Sequence, residues 1–197
     1  MTTHILTCGE STISSPDKAL VLQFANLMLG ADQVKAPAAN TSVPAIGTYW
    51  EGQGGVNGGL FPGGDKPYYL IVPTGDDAES TLEWGGYGDE LNGANSPWDG
   101  KANTADMFGA DKPHHAAQFC SVFERDGHSD FYLMARREAA FLEITLGDKD
   151  VFSKNWHWSS TQRSAHYAFF MHFDDGNQFS YGKYGELRVR PVRRLPI

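Results

Sequence analysis

The chain has 197 residues, of which 41% are hydrophobic and 20% are charged, and its formal net charge is −8. This length suits one compact domain with a short appendage, and the hydrophobic fraction excludes wholesale disorder. The negative charge argues against nonspecific binding of nucleic acid or of an anionic membrane surface. Its 22 glycines, 8 tyrosines and 12 phenylalanines indicate a loop-rich protein with β-structure rather than a helix bundle.

The N-terminal residues carry no export signal. Residues 1–10 have neither the basic start nor the apolar run of a cleaved leader, and no stretch of the chain suits insertion into a membrane. We therefore expect synthesis in a reducing cytoplasm, or export by a route that does not use a cleaved leader. Cys8 and Cys120 can form a single bridge, although two free thiols are the simpler interpretation, and a disulfide framework is excluded.

A helix is predicted over residues 18–29. Residues 15–17 (Ser, Pro, Asp) supply an N-cap, a proline at the first helical position and an acid in the first turn, and Gly30 ends the helix. Apolar residues lie on more than one helix face, so the helix must bury against the main domain or against a partner chain. The partner-docking interpretation rests on Leu20, Phe24, Leu27 and Met28.

The composition of residues 31–44 is typical of a linker, which divides the chain into a docking segment (1–44) and a main domain (45–197). Strands are predicted over residues 47–50 and 67–73. The glycine-rich stretch between them, 52–64, is predicted to be a loop. It does not indicate a phosphate-binding loop, because no helix start with a lysine follows it.

The remaining elements follow from periodicity and capping. Residues 75–101 are predicted to form a long aromatic loop. Helices are expected over 103–108, 113–123 and 135–146, and strands over 130–133, 157–161, 169–173 and 188–193. The arginines of the last strand are interpreted as members of structural ion pairs.

One hairpin can be predicted in detail. A two-residue turn at Asp175 and Gly176 pairs His172 with Phe179 and Phe170 with Tyr181. Side-chain alternation then defines two faces. The first consists of Phe169, Met171 and Phe173 and should face the core. The second mixes aromatic rings with a histidine and a carboxylate, and it is either covered by another part of the chain or serves in recognition; it consists of Phe170, His172, Asp174, Phe179 and Tyr181.

Three ordered motifs resemble the family named for the C-terminal domain of a bacterial collagen-like adhesin. They are residues 130–138 (DFYLMARRE), 157–161 (HWSST) and 190–193 (RPVR). Members of that family share a Trp-Tyr-Leu-Pro strand that enters a helix, a Trp-Ser-Ser-Thr strand and a final Arg-x-Val-Arg. This chain departs from the pattern at Phe131 and Met134, where tryptophan and proline are usual, but both replacements are apolar.

The resemblance implies an α+β, C-type-lectin-like fold. Such a fold has a small mixed or antiparallel sheet, two main helices and long loops, and its first and last strands pair. Here an N-terminal helical segment would precede it. The resemblance also implies that the motif residues are framework positions and not ligands; these are Trp158, Ser159, Ser160, Arg190 and Arg193. Similar domains occur in bacterial adhesins and, as short chains, in prophages and tailed bacteriophages.

No metal or cofactor site is predicted. The Glu-Pro-Asn, Gln-Pro-Asp and Trp-Asn-Asp tripeptides of calcium-dependent animal lectins do not occur in the chain. The acids at 76, 77 and 79 could bind a hard cation, although simple solvation is the plainer interpretation. His172 and Asp174 share a predicted face, but zinc requires three or four ligands. Cys120 has no nearby histidine, and Ser159 and Ser160 lack the turn that activates a hydrolase serine.

The sequence therefore predicts a non-enzymatic, virion-associated protein of a bacteriophage, acting in capsid decoration or as a tail or fibre accessory. Its expected partners are other virion proteins, host-surface glycans or proteins, and further copies of itself. The predicted ligand-binding residues are aromatic: Trp84, Trp98, Tyr181 and Tyr184. Alternatives are a receptor- or glycan-binding adhesin, including a retroelement-diversified protein, and, less favoured, an enzyme of the formylglycine-generating type.

Overall fold

A computed structural model of the chain describes residues 4–8, 11–15, 43–63 and 66–197. Contacts divide the chain into two units, Met1–Ser42 and Val43–Ile197. In the first unit, β1 (His4–Cys8) and β2 (Ser11–Ser15) form an antiparallel hairpin. The predicted helix over residues 18–29 and its docking residues lie outside the described residues; these are Leu20, Phe24, Leu27 and Met28.

The described part of the second unit is a mixed α+β structure of two five-stranded sheets and three α-helices, which confirms the predicted α+β class. The helices are α1 (Gly100–Phe108), α2 (His115–Ser121) and α3 (Arg136–Leu146), and a short 3-10 helix covers Asp76–Ala78. The strands are β3 (Tyr49–Trp50), β4 (Gly55–Phe61), β5 (Tyr68–Val72), β6 (Ser80–Glu83), β7 (Tyr132–Leu133), β8 (Trp156–Gln162), β9 (Tyr167–His172), β10 (Gln178–Gly182), β11 (Glu186–Val189) and β12 (Pro191–Pro196). Among the described residues, none of the helices is long and apolar enough to cross a membrane.

The first sheet has the order β3-β4-β5-β12-β7 and is antiparallel throughout. Its strand β4 lies within the stretch 52–64, so the prediction of a loop there was wrong. The glycines serve close packing instead: a Cβ at Gly55 would fall 2.4 Å from the carbonyl carbon of Val72, and one at Gly58 would fall 2.6 Å from Leu142 Cδ2. Glycine at these positions lets β4 approach both β5 and α3.

The last strand, β12, pairs with β5 and β7 and not with the first strand of its sheet, β3. The resemblance implies that the first and last strands pair, whereas β3 and β12 do not pair in this sheet. The reason is that the β3–β4 hairpin adds to the outer side of β5, which leaves the other side of β5 for β12.

The second sheet has the order β10-β9-β8-β11-β6, in which only β11 and β8 run parallel. Strand β6 corrects the prediction of a single loop over residues 75–101. In β6, half-buried Leu82 lies between exposed Thr81 and Glu83, an alternation that pairing with β11 stabilises. The four-residue run is too short to stand out from the sequence.

The predicted hairpin forms, but with a longer turn. Asn177 O accepts a hydrogen bond from His172 N–H at 2.9 Å, and Phe179 lies opposite Phe170 rather than opposite His172. The register is thus two residues from the predicted one. Because a shift of two residues preserves side-chain alternation, the alternation into two faces is as predicted. On the first face Met171 and Phe173 are buried and Phe169 is half-buried; on the opposite face Phe170 is buried, whereas Phe179 and Tyr181 are exposed.

Two apolar clusters lie within the second unit. The first includes Met171 and Phe173 of the hairpin together with residues of β4, β5 and α3. The second lies on the other side of β8 and β9 and includes Trp84, Trp158 and Phe170, covered in part by α1 and α2. Cys120 is a free, buried thiol of this second cluster.

Buried ion pairs hold the end of the chain in place and confirm the structural interpretation of its arginines. Arg190 Nη2 lies 2.9 Å from Glu79 Oε2, and both side chains are largely buried. Arg193 pairs with Asp130, and Arg194 pairs with the fully buried Glu138 at 3.1 Å. Each of these pairs joins β12, or the residue before it, to an element distant in sequence.

Candidate functional site

The four predicted ligand-binding aromatics lie in three different environments. Trp84 is completely buried, and its Nε1–H donates to the backbone oxygen of Ser159 at 2.9 Å. It is a core residue, so its assignment to a ligand site was wrong. Trp98 is 45% exposed, but its ring packs near Phe61 of the first sheet and under the guanidinium of Arg137.

Tyr181 and Tyr184 belong to a continuous exposed surface on the second sheet. We call this surface the aromatic face, and it consists of Tyr87, Trp156, Phe170, Phe179, Tyr181 and Tyr184. All of these except Phe170 are between 42% and 57% exposed. Strands β8 and β10, with the segments that carry Tyr87 and Tyr184, therefore present large rings to solvent, where most soluble domains present polar side chains.

The rings of the aromatic face contact one another in sequence across the sheet. Trp156 lies 4.6 Å from Phe170 and 6.5 Å from Phe179, measured between ring centroids. Tyr181 lies 6.1 Å from Tyr184, which in turn lies 5.2 Å from Tyr87. Rings that support each other in this way lose little conformational freedom when a ligand binds.

A groove of about 410 Å³ runs along this surface. Its lining includes Trp156, Phe170, Tyr181 and Leu187, and Glu186 is its one acidic residue. The groove is therefore suited to contacts with apolar or planar parts of a ligand, such as the face of a sugar ring or an aromatic side chain.

Two glycines position the tyrosines. A Cβ at Gly182 would lie 2.5 Å from the ring of Tyr184, and a Cβ at Gly185 would lie 2.1 Å from the ring of Tyr181. Each ring thus rests against backbone that only glycine leaves accessible. The spacing Tyr-Gly-Lys-Tyr-Gly over residues 181–185 is a signal that reasoning from the sequence had available and did not use.

The chain carries a buried lysine between Tyr181 and Tyr184. Lys183 is fully buried, and its ammonium group donates to the backbone oxygen of Asp89 and to Gln162 Oε1, at 2.7 Å each. It also lies 4.5 Å from the ring centroid of Trp84. None of these contacts is with a carboxylate, and burial lowers the pKa of Lys183 to about 8.

This environment predicts a pH dependence of stability. Because the pKa of Lys183 is lower in the folded protein than the ordinary 10.5, folding is favoured increasingly as the pH rises from about 8 toward 10.5. Relative to Lys183→Met, the free energy of unfolding of the wild type should increase by about 2 to 3 kcal/mol over that range. Urea denaturation of both proteins at several pH values measures this difference, and a constant difference would contradict the prediction.

His114 lies next to this lysine but has no polar partner. It is fully buried, its two ring nitrogens make no hydrogen bond, and its ring meets the edge of Trp84 at 4.9 Å. Burial, together with the charge of Lys183, lowers the pKa of His114 to about 4. The imidazole is thus a neutral part of the core at neutral pH.

Two of the three candidate cation ligands, Asp77 and Glu79, are occupied by ion pairs. Asp77 pairs with Arg125, and Glu79 accepts hydrogen bonds from Arg190 and lies 3.0 Å from His157 Nε2. Burial opposes ionisation of Glu79, but these contacts outweigh it and hold the pKa of Glu79 well below its usual range. Over the part of the chain that the structure describes, no three His, Cys, Asp or Glu side chains are grouped in a way that could hold a metal ion.

Reasoning from the sequence missed Trp156, Phe179 and Tyr87 as surface residues of the site. Trp156 lies opposite His172 in the β8–β9 ladder, which places it on the recognition side of the hairpin. The prediction began that strand one residue later, at His157, so Trp156 was not assigned to a face. Phe179 was placed on the correct face but was not chosen as a ligand residue.

No protein-family model matches the chain, and none of the curated proteins matches it.

Proposed function

We propose that this chain is a non-enzymatic binding protein of a bacteriophage particle, and that its second unit is a C-type-lectin-like domain. The motif order that resembles the collagen-like adhesin family supports this proposal. So does the environment of the motifs: Trp158, Ser159 and Ser160 are buried in β8, and Arg190 and Arg193 form ion pairs. These are framework roles, as the resemblance implies.

The observation that carries the binding function is the aromatic face. Exposed rings that contact one another on a rigid sheet cost free energy in water unless a partner covers them. Aromatic residues are also enriched at the centres of protein interfaces. The ligand of this surface is a host-surface glycan or protein, or another virion protein, and the N-terminal segment attaches the chain to the particle.

Binding experiments with two variants test this function. Trp156→Ala combined with Tyr184→Ala removes two rings of the aromatic face without changing the sequence of β10, and Trp98→Ala is the matched control on a different surface. The probes are an array of bacterial surface glycans and phage particles assembled without this protein. We expect the double variant to lose binding by about 30-fold or more, and the control to bind like the wild type.

The two probes also separate the two kinds of partner. A receptor-binding protein should bind the glycan array or host cells as purified protein, whereas a decoration protein should bind only assembled particles. Failure of the wild type to bind any of these probes would overturn the proposed function. Equal binding by the double variant and the wild type would instead show that the aromatic face is not the binding site.

A further inference from the structure

The edge of the second sheet is formed by an unusual strand. Strand β10 pairs with β9 on one side and has no second neighbour among the described strands. Its sequence, Gln-Phe-Ser-Tyr-Gly, contains no charge and no proline, and its ladder with β9 has no bulge. Natural proteins usually protect such an edge with one of those features, since an open, flat, uncharged edge pairs readily with another strand.

Two hydrogen bonds determine which groups of β10 point outward. At one end His172 N–H donates to Asn177 O at 2.9 Å, and at the other Lys183 N–H donates to His166 O at 3.0 Å. Hydrogen-bonded and non-bonded pairs alternate along an antiparallel ladder. The backbone of Ala168 therefore bonds to that of Tyr181, and the backbone of Phe170 bonds to that of Phe179. The backbone groups of Gln178, Ser180 and Gly182 therefore point away from β9.

The outward groups are self-complementary. If a second copy approaches in the antiparallel direction with Ser180 opposite its counterpart, the two Ser180 residues exchange N–H to O bonds. Each Gly182 then comes opposite Gln178 of the other copy, but Gly182 is buried against the ring of Tyr184, so the two bonds between the Ser180 residues are the centre of the pairing. Gly182 O already accepts from Gly185 N–H at 2.8 Å and is not needed for this pairing.

Side chains match in the same register. Phe179 of one copy lies opposite Tyr181 of the other, and the reverse pair forms across the two-fold axis. Aromatic cross-strand pairs stabilise sheets. Both residues are on the exposed side, at 57% and 45%, and therefore have surface left to bury.

We propose that β10 is a homodimer interface, in which two copies join edge to edge into one continuous sheet. The two aromatic faces then lie side by side on the same surface of the dimer. Two copies of net charge −8 repel each other, and Arg163, which donates to Ser180 Oγ at 2.6 Å, approaches its counterpart. Added salt screens both effects, so the dimer should strengthen as salt is raised.

Analytical ultracentrifugation of the full chain tests the interface. The wild type should show a concentration-dependent dimer. Ser180→Pro should shift it to monomer, because the proline removes an outward N–H and no bond to β9. Ser180→Ala keeps that N–H and should remain dimeric. A wild type that stays monomeric at all concentrations, or a dimer that is unchanged by Ser180→Pro, would overturn the proposal.

Crosslinking provides a second readout that does not depend on the proline variant. In a Cys8→Ser background, Ser180→Cys should form a disulfide between copies on mild oxidation, because the two Cα atoms of a bonded antiparallel pair lie about 5.5 Å apart. Lys154→Cys, at an exposed position away from β10, is the control and should not crosslink. Equal crosslinking of both variants, or of neither, would contradict the predicted register.

Discussion

Trp84→Ala is expected to destabilise the second unit by about 3–5 kcal/mol, the usual cost of removing a fully buried tryptophan. The indole is inaccessible to solvent, donates a hydrogen bond to Ser159 O and supports both Lys183 and His114. Its removal leaves a cavity and an unpaired carbonyl in the second apolar cluster. Urea denaturation followed by circular dichroism measures the loss.

Trp98→Ala is the matched control for this prediction. Trp98 is 45% exposed and contacts mainly Phe61 and Arg137, so its truncation should cost about 1 kcal/mol or less. If the two variants had the same unfolding midpoint, the assignment of Trp84 to the core would be wrong. A Trp84→Ala protein that kept wild-type stability but lost ligand binding would show that Trp84 belongs to the binding site.

Glu138→Ala should have an effect of similar size, about 3–5 kcal/mol. Glu138 Oε1 accepts hydrogen bonds from the hydroxyls of Tyr68 and Tyr132, at 2.7 Å each, and from Arg194 at 3.1 Å. Glu138 Oε2 accepts from the backbone N–H of Ala135, at the start of α3. Alanine leaves all of these donors without their acceptor in a site that excludes water.

Glu138→Gln is the control for the charge. Burial raises the pKa of Glu138, against the opposing effect of Arg194, so the neutral amide is a closer substitute for this side chain than alanine is. We expect its cost to be intermediate, because it keeps the volume and one acceptor oxygen. Thermal unfolding of both variants measures their relative stability. A Glu138→Gln protein less stable than the Glu138→Ala protein would contradict this account of the site.

The predicted elements with strong local signals formed where expected. Helix α3 begins within one residue of its prediction and ends before Gly147, with Glu138 satisfying the N–H of Ala135. The hairpin faces were also correct, because alternation within each strand does not depend on the length of the turn. The turn length itself was wrong, since it depends on contacts made beyond Asp175 and Gly176.

Strands β4 and β6 were missed for a different reason. Their residues carry weak strand signals: β4 is rich in glycine and β6 is short. They are strands because neighbouring strands offer backbone partners, β5 for β4 and β11 for β6. Strand β11 is distant in sequence from β6, so no local pattern reports that pairing. Strand β5 follows β4 closely, but the three glycines of β4 hide the strand pattern that would have revealed it.

The chain's local patterns were sufficient for the α+β class, the positions of the three described α-helices, the alternation of the hairpin and the pairing role of the terminal arginines, because capping and side-chain period act over a few residues. Packing between distant segments settled which aromatic residues are free to bind. It covered Trp84 with Lys183 and His114, and it left Trp156, Phe179 and Tyr181 exposed. Exposure depends on what lies above a side chain, and that is a property of the folded sheet and its neighbours.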